Sequence, residues 1–137
     1  MAKRSFHGER ILLVDDNARL LRSLAFLLQV LGFEVMTACD GADALNALQK
    51  RIPDLIIADI DMPHLDGYQL LRQVRADQRW SSVPFIFSSE KYSLNDLLFG
   101  LDLGANDYLP KPFDIYDVLE VIERTLPPTT QRLRKIV

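Results

Sequence analysis

Short runs rich in β-branched and aromatic residues alternate with helical patterns along the whole chain. The runs fall at residues 11–14, 33–38, 54–58, 85–88 and 107–109. The first and third are apolar almost without a break, as strands covered on both faces are. Between the first two runs, Leu20, Leu24, Leu27, Leu28 and Leu31 recur at spacings of three and four, and Gly32 follows as a stop. A second helix is expected from the N-cap type Asp40, carrying Leu45 and Leu48, until Pro53 ends it. A third starts near Asp66 with Leu70, Leu71 and Val74 inward, followed by a polar loop over 77–82 that contains Trp80. A fourth spans 94–103, ended by Gly104, with Leu94, Leu97, Leu98 and Leu101 as its core stripe. Phe99 and Leu103 are left on an adjacent face, as a wide core contact or a partner patch. The fifth opens at Asp114, buries Ile115, Val118, Ile122 and Leu126, and stops at Pro127-Pro128. Five β/α repeats predict an α/β fold, a doubly wound parallel sheet with helices on both faces.

An open sheet of this kind places its site beyond the carboxyl ends of its strands. The residues there are chemically unusual. Run one ends in Asp15-Asp16, run three in Asp59 and then Asp61, run four in Ser88-Ser89, and run five is followed by Lys111. Carboxylates brought within a few ångströms repel unless protonated or bridged by a cation. All-oxygen ligands point to Mg²⁺, Mn²⁺ or Ca²⁺, and few protein ligands favour Mg²⁺. A cation alone leaves Lys111 unexplained. A further anion accounts for it, because metal, ammonium and a serine hydroxyl together can hold the three oxygens of a phosphoryl group.

Asp15-Asp16, the run over 53–67 (PDLIIADIDMPHLDG) and the run over 104–113 (GANDYLPKPF) resemble the signature segments of response-regulator receiver domains of two-component signal transduction. The resemblance covers roughly residues 10–126, and the intervals from Asp59 to Ser89 and to Lys111 are similar to the family's. It implies the flavodoxin-like (βα)5 fold with strand order 2-1-3-4-5. It implies Asp59 as phosphoacceptor, Ser89 as donor to a phosphoryl oxygen and Lys111 as the matching cation. Asp15, Asp16, Asp59 and the main-chain carbonyl of Asp61 are the implied holders of Mg²⁺ or Mn²⁺. Tyr108 matches an aromatic switch position, and the face of helix four, strand five and helix five is the implied output surface. Implied partners are a sensor histidine kinase or phosphotransfer protein, a downstream protein or fused output domain, and a second copy through that face. The chain would accept a phosphoryl group and slowly lose it, without being an enzyme in its own right.

Each feature also has a plainer reading. Asp15-Asp16 can be a solvated turn in which Asp16 or Asn17 caps a helix. Ser88 rivals Ser89 as phosphate donor. Gly67 is assigned to packing or a turn, and His7 and His64 to exposed positions. Glu90 departs from the small residue usual after the family's Ser or Thr, and is expected to point to solvent. Asp61 and Lys91 carry opposite charges at positions that tune phosphoryl loss in the family, and are expected to pair across the site mouth. Two rival functions stand beside the switch. One is a docking module that is never phosphorylated. The other is a haloacid-dehalogenase-like phosphatase, whose nucleophile motif Asp59-x-Asp61 resembles.

Size and charge narrow the rest. With 137 residues, 48% hydrophobic, the chain has room for one domain, placed at 10–126 between an N-terminal extension (1–9) and a linker or tail (127–137). A net charge of −3 argues against a nucleic-acid surface on the domain itself. The single cysteine, Cys39, excludes an internal disulfide and is expected as a small buried residue. No apolar run approaches a membrane span, so a soluble, cytoplasmic protein is expected.

Overall fold

The computed structural model describes residues 6, 8–91 and 93–127. His7 and most of the two expected terminal segments lie outside the described residues. The elements alternate along the chain as β1 (Arg10–Val14), α1 (Ala18–Val30), β2 (Glu34–Ala38), α2 (Gly41–Lys50), β3 (Leu55–Asp59), α3 (Gly67–Ala76), β4 (Phe85–Ser89), α4 (Leu94–Leu103), β5 (Asp107–Pro110) and α5 (Ile115–Thr125). All five strands are parallel, in the order β2-β1-β3-β4-β5 expected from the sequence.

Alternation along each strand divides the core into two layers. Leu12, Val14, Ile56, Ala58, Phe85 and Phe87 face α2 and α3, joining Ala44, Leu48, Leu70, Leu71 and Val74. Ile11, Leu13, Leu55, Ile57 and Ile86 face the other way, onto Leu24, Leu28, Val118 and Ile122 of α1 and α5. Each fully buried Leu, Ile or Phe is worth about 1.5–3 kcal/mol over an exposed one, so these layers fix the strand register. β3 begins at Leu55 because Asp54 is used otherwise: its carboxylate accepts the Arg10 N–H at 2.7 Å and holds the start of β1.

Trp80, inside the polar loop expected over 77–82, is buried in the α2/α3 layer. Three expectations need correction. Cys39 is exposed: β2 is an edge strand, and Cys39 lies past Ala38, its last paired residue. The α4 stripe is right only at Leu97. Leu94, Leu98 and Leu101 are exposed, and the helix turns Gly100 and Leu103 inward beside Leu97. A Cβ at Gly100 would come within 3.0 Å of the Phe87 ring, so the helix backbone itself lies on that ring. Leu27 and Leu31 of the α1 stripe are likewise exposed, leaving Leu24, Ala25 and Leu28 as its anchors.

Candidate functional site

The carboxyl ends of β1, β3 and β5 bring four of the expected groups together. Asp15 follows β1; its carboxylate accepts the Asn17 N–H at 2.8 Å and the Lys111 Nζ at 2.7 Å. Asn17, not Asp16, caps α1, accepting the Leu20 N–H. Asp16 is thereby left exposed and free of capping duty. Asp59 ends β3, 7% exposed, with its carboxylate 3.7 Å from Lys111 Nζ. Asp15, Asp16 and Asp59 each offer an oxygen within 4.8 Å of the others.

Gly67 belongs to this geometry as a spacer. A Cβ there would lie 2.5 Å from the Asp59 main-chain oxygen, and the Gly67 N–H donates to Ile60 O. Any larger residue would push α3 off the end of β3.

The electrostatics are those of crowded acids. Burial pushes the Asp59 carboxyl up to about 6, Lys111 pulls it back, and Asp15 adds to the rise. For Lys111, burial disfavours the charge, but the hydrogen bond and charge of Asp15, with Asp59 behind it, outweigh burial and raise its pKa. Lys111 is therefore a firmly charged ammonium held between two carboxylates. Three oxygen donors suit a hard divalent cation, and the site's residues fit Mg²⁺ or Mn²⁺.

The remaining candidates separate by sheet face. Ser88 is the register partner of Asp59, and its side chain lies on the same face, towards α1 and α5. Ser89 turns to the opposite face, fully buried, where its Oγ accepts the Lys91 N–H at 2.9 Å. Tyr108 is on that face too, packed against Phe87 with its hydroxyl buried close to Ser89 but short of hydrogen-bond geometry. Burial pushes the Tyr108 phenol up to about 12. Ser89 and Tyr108 thus form a second cluster behind the sheet from the carboxylates. The Asp61 carboxylate stays outside the acidic trio and pairs with Lys91 at 3.1 Å. Glu90 and His64 are exposed, as expected.

Sequence reasoning missed Tyr68. Its ring stands edge-on to Phe87 at 5.2 Å and to Phe99 at 4.8 Å, tying the start of α3 to α4. Phe99, half exposed, spends its inner edge on this contact. The only signal was the aromatic residue directly after Gly67.

Comparison with known proteins agrees with this geometry. A family model described as the response regulator receiver domain matches residues 11–123. The chain belongs to the response-regulator receiver-domain family. It is 41% identical over 117 residues to the transcriptional regulatory protein PrrA of Mycobacterium tuberculosis, covering 85% of this chain and 49% of that protein. It is 43% identical over 105 residues to the probable transcriptional regulator ycf27 of Guillardia theta, covering 77% of this chain and 40% of that one. The chain thus spans less than half the length of these curated relatives. Among solved structures it is similar to the chemotaxis protein CheY4 of Vibrio cholerae, with TM-score 0.83, 32% identity and 87% and 99% of the two chains covered. It is also similar to the receiver domain of sensor histidine kinase PA1611 from Pseudomonas aeruginosa, with TM-score 0.78, 33% identity and 86% and 97% covered. That structure has a magnesium ion coordinated in its active-site cleft.

Proposed function

We propose that this receiver domain is a phosphoryl-accepting switch with Asp59 as acceptor. The observation that carries the reading is Lys111, 2.7 Å from Asp15 and 3.7 Å from Asp59, beside three carboxylates whose oxygens lie within 4.8 Å. An Asp59 oxygen attacks the phosphorus of a phosphohistidine on a histidine kinase or phosphotransfer protein. The P–O bond forms as the P–N bond breaks, and the electron pair leaves on the imidazole nitrogen, which takes up a proton. A carboxylate is a weak nucleophile, so alignment and charge neutralisation carry the reaction. Asp15, Asp16, Asp59 and the Asp61 main-chain carbonyl would hold Mg²⁺ or Mn²⁺, which supplies charge neutralisation for the transferring oxygens. Lys111 transfers its ammonium from Asp15 towards a phosphoryl oxygen, and Ser89 swings round the end of β4 to donate to another.

Movement of Ser89 shifts the loop that carries Lys91 and frees Tyr108 to repack, changing the α4, β5 and α5 face. Leu94, Leu98, Leu101 and Tyr116 are exposed on α4 and α5 and suit a downstream protein, a fused output domain or a second copy. The unit that switches is residues 10–126, and slow hydrolysis of its own acyl phosphate resets it. No helix among the described residues is long and apolar enough to cross a membrane, which suits a cytoplasmic signalling partner.

Incubation with phosphoramidate and Mg²⁺, followed by intact mass, tests the reading. One stable phosphoryl increment is expected in the wild type and none in Asp59→Asn. No increment in the wild type overturns the switch in favour of a docking module. Many turnovers without a lasting adduct point to a phosphatase.

A further inference from the structure

Ser88 sits in β4 between Asp59 of β3 and Leu109 of β5, its register partners. Only 4% of it is exposed, and its hydroxyl has no hydrogen-bond partner among the described residues. Buried hydroxyls in folded proteins are rarely left without one. The side chain lines a small cavity of ≈ 20 Å³ together with Leu13, Leu24, Ile57, Phe113 and Asp15. A single water needs roughly 10–15 Å³ and at least two polar partners. Ser88 and Asp15 are the two polar residues in its lining.

We infer that this cavity is a binding site for one structural water that bridges Ser88 Oγ to Asp15, making Ser88 a positioning residue for the Asp15–Lys111 pair. The Ser88 O–H donates to the water, and the water donates to the Asp15 carboxylate. Asp15 is 6% exposed, and its described partners are the Asn17 N–H and Lys111. When Lys111 turns to a phosphoryl oxygen, the carboxylate loses the hydrogen bond of the ammonium. A water held by Ser88 keeps a third donor on Asp15 throughout and so eases the transfer of Lys111. This role rests on the proposed phosphoryl transfer; the water site itself does not.

The test uses the whole chain as wild type, Ser88→Ala and Ser88→Val. Water-to-protein magnetisation transfer is read at Ser88 and Asp15, together with the Asp15 side-chain carboxyl ¹³C resonance and the rate of phosphorylation by phosphoramidate. The wild type is expected to show a long-lived water. Ser88→Val fills the cavity, abolishes that signal, shifts the Asp15 resonance and slows phosphorylation about tenfold, with no loss in thermal midpoint. Ser88→Ala keeps the cavity but removes one partner, and falls between the two. If Ser88→Val does not fold, the same readings on Ser88→Ala decide the matter. Absence of a long-lived water in the wild type overturns the site. A rate in the folded variant equal to wild type overturns the positioning role. If wild type takes up no phosphoryl group at all, the switch reading fails, while the water signal still decides the site.

Discussion

α4 and α5 flank the same edge strand and have nearly the same length, 10 and 11 residues, yet they are held in opposite ways. α5 opens with a capping box in which Asp114 and Asp117 each accept the other's main-chain N–H, and it buries Val118, Val121 and Ile122 against the sheet. α4 has a simpler cap at Ser93, buries only Gly100, and leaves Leu94 69% and Leu98 55% exposed. Apolar content therefore does not measure anchorage. What matters is whether the apolar positions share the face that meets the sheet. α4 rests on a glycine, a ring and two half-buried leucines, so moving it forfeits little. This is what a proposed output helix requires, and α5 supplies the fixed frame against which such movement registers.

The contrast breaks most directly in stability. Ile122→Ala should cost about 2–4 kcal/mol in urea unfolding, through lost transfer energy and a cavity between α5 and the sheet. Leu101→Ala should change stability by less than about 0.5 kcal/mol, because half of that side chain is already in water. Similar losses in the two variants would mean that α4 is as firmly seated as α5.

The acidic site lies on the α5 side of the sheet, and its cost should be measurable there too. In the metal-free protein Asp59 has its pKa raised from 3.8 to about 6, chiefly by burial. Between those values the unfolded chain has released the proton while the folded chain still binds it, so stability falls as pH rises through this window. Asp59→Asn removes the effect. At neutral pH, with chelator present, the variant should be more stable than wild type by up to about 3 kcal/mol, and the two should converge near pH 4. A constant difference across pH would mean that Asp59 is not a strained carboxylate. Mg²⁺ should narrow the gap by stabilising only the wild type.

Gly100→Ala sharpens the comparison on the α4 side. The new methyl would meet the Phe87 ring at 3.0 and 3.1 Å. Helix propensity gains about 1 kcal/mol, whereas overpacking costs about 1–3 kcal/mol. A net loss near 1 kcal/mol is expected, with amide shifts concentrated in α4 and around Phe87, Tyr68 and Phe99, and α5 undisturbed. Shifts spread evenly over both helices would tie α4 to the frame.

The same contrast explains what was legible in the sequence. For α3 and most of α5 the apolar residues at helical spacing are the buried ones, and Leu70, Leu71, Val74, Val118 and Ile122 could be named in advance. α4 misled because its true inner face, Leu97, Gly100 and Leu103, passes through a glycine that no apolar pattern marks. Trp80 was hidden by its polar neighbours. The convergence of Asp15, Asp16, Asp59 and Lys111 was readable because strand ends of a parallel sheet meet at one edge. The faces taken by Ser88 and Ser89 were not, since one residue's shift along a strand exchanges the two faces. The register of Ser88 with Asp59 settles them.

The smallest expected effect concerns a contact between the loops that precede α3 and α4. Lys91 and Asp61 pair at 3.1 Å, with side chains 61% and 54% exposed. Exposed pairs of this kind add little to stability, so Lys91→Ala should leave the thermal midpoint where it is. Its position gives it another use. Asp61 stands two residues after Asp59 and Lys91 two after Ser89, so the pair joins the loop that follows β3 to the loop that follows β4. On the proposed function, this pair would stand in the way of water attacking an acyl phosphate on Asp59. Removing the Lys91 ammonium should open that approach and speed loss of the phosphoryl group severalfold, followed by intact mass after the phosphodonor is withdrawn. Lys91→Arg should retain the wild-type lifetime, since it keeps the charge and the reach to Asp61. Unchanged decay in Lys91→Ala would reduce the pair to an ordinary surface contact.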